Sequence, residues 1–126
     1  MIDQRSSNVP TILIIARPGQ FRDSLNVLAG SIFGEEATYL AEDVRNALNG
    51  SFTDPPAVVL VSIENEEVMQ GSLTAIKRTW PATRIVLLVA NGREIQAKES
   101  DVADAVLIKG TRAAKLLQYL EEVLSG

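Results

Sequence analysis

Apolar residues in this chain come in short unbroken runs. Between the runs lie stretches where they recur every third or fourth position. The runs are Thr11 to Ala16, Ala57 to Val61, Ile85 to Val89 and Ala105 to Ile108. Such runs predict strands covered on both faces, as in a parallel sheet. Thr38 to Ala41 is a fifth, weaker strand. Phe21, Leu25, Leu28 and Ile32 mark a helix capped by Gly34. Val44, Ala47 and Leu48 mark a short helix that Gly50 stops. Asp54-Pro55-Pro56 breaks the chain before the third strand. Met69, Leu73, Ile76 and Trp80 predict the next helix, ended by Pro81. After the Asn91-Gly92 turn, Arg93 to Ser100 predicts a polar fourth helix with only Ile95 and Ala97 apolar. Thr111 is the predicted N-cap of a fifth, with Leu116, Leu117, Leu120, Val123 and Leu124 on its buried stripe.

Strands alternating with helices in this way predict an α/β domain with a doubly wound five-stranded parallel sheet, helices on both faces and right-handed crossovers. Residues 1–9 are polar and aperiodic and read as a flexible leader, and residues 10–126 as one domain. In open α/β sheets the site lies at the carboxyl ends of the strands. The third strand delivers a hydroxyl there, Ser62.

Composition narrows the choice of function. The chain has 126 residues, 46% hydrophobic and 22% charged, and a net charge of −4. That balance gives no electrostatic footprint for nucleic acid, and no basic run suggests a membrane surface. Without cysteine or histidine, the chain lacks thiolate nucleophiles and the commonest general base and metal ligand. No apolar run approaches the roughly 18 residues of a spanning helix, and no signal peptide is evident, so a cytoplasmic location is expected. Asn49-Gly50-Ser51 reads as a turn.

Elements of these lengths, ending in Ala105-Val106-Leu107-Ile108-Lys109-Gly110-Thr111 before an amphipathic helix, resemble the receiver (CheY-like) domain of two-component response regulators. The resemblance spans about Thr11 to Leu124. Lys109-Gly110, in place of the commoner Lys-Pro, is similar to receivers of the NarL-type subgroup. The resemblance implies the flavodoxin-like strand order 2-1-3-4-5. It also assigns positions. The acidic pair that holds magnesium falls on Ala16 and Arg17, the phosphoacceptor on Ser62, and the hydroxyl position on Val89. The lysine falls on Lys109 and the aromatic switch on Val106. Only Lys109 keeps the family's residue type.

These departures have physical consequences. Magnesium takes carboxylate and water oxygens. Ala16 offers none, and Arg17 brings a fixed positive charge. A serine hydroxyl cannot form the acyl phosphate that phosphotransfer produces, and Val89 cannot donate a hydrogen bond. The chain is therefore expected to be a degenerate pseudo-receiver: no enzyme, no cofactor, no metal. Arg17 and Glu64 either form a salt bridge in the metal's place or remain two solvated charges. Ser62 beside Lys109 has the composition of a nucleophile and base, but neither a nucleophile elbow nor a Ser-x-x-Lys spacing accompanies it. The expected function is a phosphorylation-independent interaction or dimerisation module in a two-component-type pathway. Its partner would be a histidine kinase, an output domain or a second copy, bound through the fourth helix, fifth strand and fifth helix. The alternative is a sensor that binds a small anion or metabolite in the vacated strand-tip pocket.

Overall fold

The computed structural model describes residues 10–49, 55–62, 72–89, 103–108 and 113–125. In chain order the elements are β1 (Ile12–Ile15), α1 (Gln20–Phe33), a 3-10 turn (Glu35–Ala37), β2 (Thr38–Ala41), α2 (Val44–Leu48), β3 (Val58–Ser62), α3 (Ser72–Thr79), β4 (Arg84–Val89), β5 (Ala105–Ile108) and α4 (Ala113–Ser125). The last of these, α4, is the fifth helix expected from the sequence. The expected leader, the fourth helix at 93–100, Met69 and the Thr111 cap lie outside the described residues.

The sheet is five-stranded, in the order β2-β1-β3-β4-β5, and every pair is parallel. This is the expected doubly wound architecture. The unbroken apolar runs now have their cause, because alternate residues of each central strand enter two separate cores. Leu13, Ile15, Val59, Val61, Ile85 and Leu87 pack with Ala47 of α2, with Leu73 and Ile76 of α3, and with Trp80 beyond it. Ile12, Ile14, Val58, Leu60, Val86 and Leu88 pack with Leu25 and Ala29 of α1 and with Leu116 and Leu120 of α4. Each such fully buried aliphatic side chain stabilises the fold by about 1.5–3 kcal/mol relative to exposure. A polar residue on either face of β1, β3 or β4 would therefore be costly.

Local signals set the helix ends. Gly34 terminates α1 at φ 98, a conformation that suits glycine, and its amide donates to the Gly30 carbonyl at 2.9 Å. Asp43 caps α2 by accepting the Asn46 amide at 2.8 Å. Some boundaries differ from the sequence reading. β3 begins at Val58 and β4 at Arg84, while β3 ends at Ser62 as expected. The backbone of Arg84 continues the sheet, its amide donating to the Ala57 carbonyl at 3.0 Å, while its side chain stays exposed. On α1 the buried positions are Leu25 and Ala29, whereas Phe21 is 37% exposed. Leu28 and Ile32 of the expected stripe are partly buried against the same core.

Candidate functional site: the carboxyl ends of the strands

All strands run the same way, so Ala16, Arg17, Ser62 and Val89 are gathered at one end of the sheet. Register fixes their levels. Ile15 pairs with Val61, so Ala16 and Ser62 stand one step beyond that pair. Ser62 pairs with Leu88, and Val89 pairs with Ile108, the residue before Lys109.

Ala16 is only 3% exposed and belongs to the α1–α4 core, beside Ile12, Ile14 and Leu25. Its amide donates to the Ala41 carbonyl at 3.0 Å, which extends the β1–β2 ladder by one step. A carboxylate at this position would lose its hydration with no compensating charge on the strand, a costly arrangement. The methyl group instead completes the packing. Arg17, the next residue, is exposed. Ser62 is half-buried and closes β3. Its predecessors at alternate positions, Val58 and Leu60, face the α1–α4 core.

Val106 pairs with Leu87 and is partly buried against the α2–α3 core. At the expected switch position, then, an aliphatic side chain is docked on the sheet's apolar face. Val89 is described as the last residue of β4. Glu64 and Lys109 lie outside the described residues, and with them the Arg17–Glu64 bridge and the Ser62–Lys109 pairing.

Beside these strand tips begins α1. Its N-cap, Gly19, supplies no side-chain hydrogen bond, and the acidic residue of the first turn is Asp23. The Nε of Arg22 is buried and has no hydrogen-bond partner among the described residues. Among the described residues no three His, Cys, Asp or Glu side chains converge as metal ligands.

The opposite end of the sheet holds a polar cluster that the sequence reading missed. The Asp104 carboxylate accepts the Ile85 amide at 2.8 Å, and the Asp104 amide donates to the Ile85 carbonyl at 2.8 Å. Lys77 approaches the same carboxylate at 3.3 Å and donates to the Thr83 carbonyl at 2.8 Å. Buried Thr83 donates its hydroxyl to the Pro56 carbonyl at 2.6 Å. Tyr119 of α4 has its pKa raised, first by burial and then by the Asp104 charge. Arg84, hydrogen-bonded to Tyr119, opposes that shift. The polar residues that open β4 and precede β5 were the available signal. Their partners come from distant segments, where periodicity says nothing.

No protein-family model and no curated protein matches the chain. Solved structures do. A LuxR-family DNA-binding response regulator from Silicibacter pomeroyi aligns over 93% of each chain at 20% identity, with a TM-score of 0.71. A response regulator from Thermotoga maritima aligns over 94% of this chain and 99% of its own at 16% identity, TM-score 0.66. A two-component transcriptional regulator from Clostridium phytofermentans aligns over 92% of each chain at 18% identity, TM-score 0.72. At these identities the likeness shows the fold, and that fold is the flavodoxin-like arrangement expected from the sequence, strand order included.

Proposed function

We propose that the chain is a receiver-like signalling domain of a two-component-type pathway that works without phosphorylation, as a protein-interaction or dimerisation module. The observation that carries this reading is the level of Ala16 with Ser62 at the sheet's carboxyl end. One position is a core methyl and the other a hydroxyl, so neither supplies the carboxylate that magnesium or an acyl phosphate requires. Val106, docked on the apolar face, fits the absence of an aromatic switch. The partner would be a kinase, an output domain or a second copy. The surface would be β5, α4 and the segment at 93–100, as the family resemblance implies.

The test uses acetyl phosphate and, separately, beryllofluoride, each with magnesium. Intact mass should show no phosphoryl adduct, and the melting temperature should not move. A magnesium-dependent adduct would refute the reading. Light scattering across a concentration series then separates a homodimer from a module that binds other proteins.

A second reading, an anion or metabolite sensor, has its own support. The α1 N-terminus lacks a side-chain cap, exposed Arg17 lies beside it, and the Arg22 Nε is buried without a partner among the described residues. Core-filling Ala16 counts against a deep pocket on the β1 side. Melting shifts with phosphate, sulfate or nucleotides would favour the sensor, and flat responses the interaction module.

A further inference from the structure

At β2 the sheet ends in a strand with an apolar centre and acidic flanks. β2 pairs with β1 and, among the described residues, has no strand on its other side. The Ala41 carbonyl accepts the Ala16 amide, so Ala41 and Tyr39 turn their backbone groups towards β1. By alternation, Leu40 turns its N–H and C=O outward. Thr38 turns its carbonyl the same way, while its amide donates to the Glu35 carbonyl. Tyr39 is 43% exposed and Leu40 40%, on opposite faces of the strand. Natural edge strands are commonly blunted by a charge on the strand, a proline or a bulge. Thr38–Ala41 carries none of these. The charges lie at its ends instead. Glu35 and Glu36 precede it, Glu42 and Asp43 follow it, and all four are exposed. No Lys or Arg occurs between Arg22 and Arg45.

We propose that the β2 edge docks an extended segment of another protein, with an alternating apolar centre and Lys or Arg at both ends. The segment would add a strand beside β2 through the outward backbone groups of Leu40 and the Thr38 carbonyl. Its apolar side chains would share one face, beside Tyr39 or Leu40 according to register, and the intervening side chains the other. Both ends of β2 are acidic, so basic flanks are matched whichever way the segment runs. A second copy of this chain fits worse. Antiparallel pairing of two β2 edges sets Glu35 and Glu36 against the copy's equivalent of Glu42 and Asp43, and like charges repel. This inference is independent of the phosphorylation question, since it uses a different edge of the sheet.

Fluorescence anisotropy of the full chain against three labelled synthetic peptides tests the proposal. The first is Lys-Lys-Val-Thr-Val-Thr-Val-Lys-Lys. The second replaces its lysines with glutamates, and the third replaces its central Thr-Val-Thr with three prolines, which removes donors on both sides of the strand. The first peptide should bind, more weakly as salt rises, and at least roughly tenfold tighter than either control. The Glu35→Lys, Glu36→Lys, Glu42→Lys variant should reverse the preference towards the glutamate peptide. Hydrogen exchange should show the Leu40 amide protected by the first peptide. No binding up to about 1 mM, or equal binding of the proline peptide, would overturn the proposal. So would self-association of the chain that Tyr39→Lys abolishes.

Discussion

Asp104 does at the start of β5 what a backbone group would do one step further along. The β4–β5 ladder begins at Val86 and Ala105. One residue earlier, the Asp104 carboxylate takes the Ile85 amide and its own amide takes the Ile85 carbonyl, each at 2.8 Å. This ring of two hydrogen bonds holds the edge strand in register, and Lys77 adds a charge at 3.3 Å. The side chains of Lys77 and Asp104 are 32% and 31% exposed, so solvent screens the pair. The ion pair is then worth about 0.2–1 kcal/mol. The hydrogen bond to a charged acceptor is worth more, about 1.5–3 kcal/mol, with the lower end fitting a partly exposed group.

Two substitutions separate these contributions. Asp104→Ala removes both and should destabilise by about 2 kcal/mol, a fall of roughly 6–10 °C in Tm for a domain of this size. Asp104→Asn keeps an oxygen that can accept the Ile85 amide and loses only the charge, so its cost should stay under about 1 kcal/mol. The Asn variant should also lose the salt sensitivity of the wild type. Urea unfolding at low and high salt reads all of this. Equal costs for Ala and Asn would refute the reasoning, because the hydrogen bond would then not be the main contribution. A silent Ala variant would refute it as well.

Other outcomes follow from the same structure. Burial and then Asp104 raise the Tyr119 pKa in the folded state. Its stabilising contribution is therefore complete below its ordinary pKa of 10.0 and is lost as pH rises through the folded value. Tyr119→Phe should flatten the alkaline fall in unfolding midpoint, and an unchanged slope would sink the assignment. Leu120 is fully buried between α4 and the sheet, so Leu120→Ala should cost about 2–5 kcal/mol by urea unfolding. Thr83→Val keeps the shape but leaves the Pro56 carbonyl without its donor, and should cost about 1–3 kcal/mol. Asp43→Ala removes the cap of α2 and should cost about 1 kcal/mol, with faster amide exchange confined to that helix as the marker.

The strands were legible because burial on both faces leaves an unbroken apolar signature. Val58 to Val61 and Ile85 to Leu88 show it, and each residue is buried. Their first residues were less legible. Arg84 continues the ladder through its backbone, which side-chain polarity does not report, whereas Ser62 ends its strand as expected. Phe21 was placed on the buried stripe by size and spacing. Ala29, nearly invisible to a hydrophobic count, took the central contact instead. The Asp104–Lys77–Thr83 cluster was hidden for a different reason. It joins the end of α3, the approach to β4 and the approach to β5, segments brought together only once the sheet has formed.

At the strand tips, burial sets what a carboxylate would cost at each position of the proposed site. Under the proposed function, Ala16, Arg17, Ser62 and Val89 could have lined an open pocket. Ala16 argues otherwise, because its methyl is part of a core that also holds Ile12, Ile14 and Leu25. An aspartate there would be a fully buried charge, whereas one at half-buried Ser62 would keep part of its hydration. The two positions therefore differ in reversibility. Under the proposed function, Ser62→Asp should be tolerated and show no phosphoryl adduct by intact mass, because Ala16 supplies no metal ligand. Adding Ala16→Asp should destabilise the domain before it restores any chemistry.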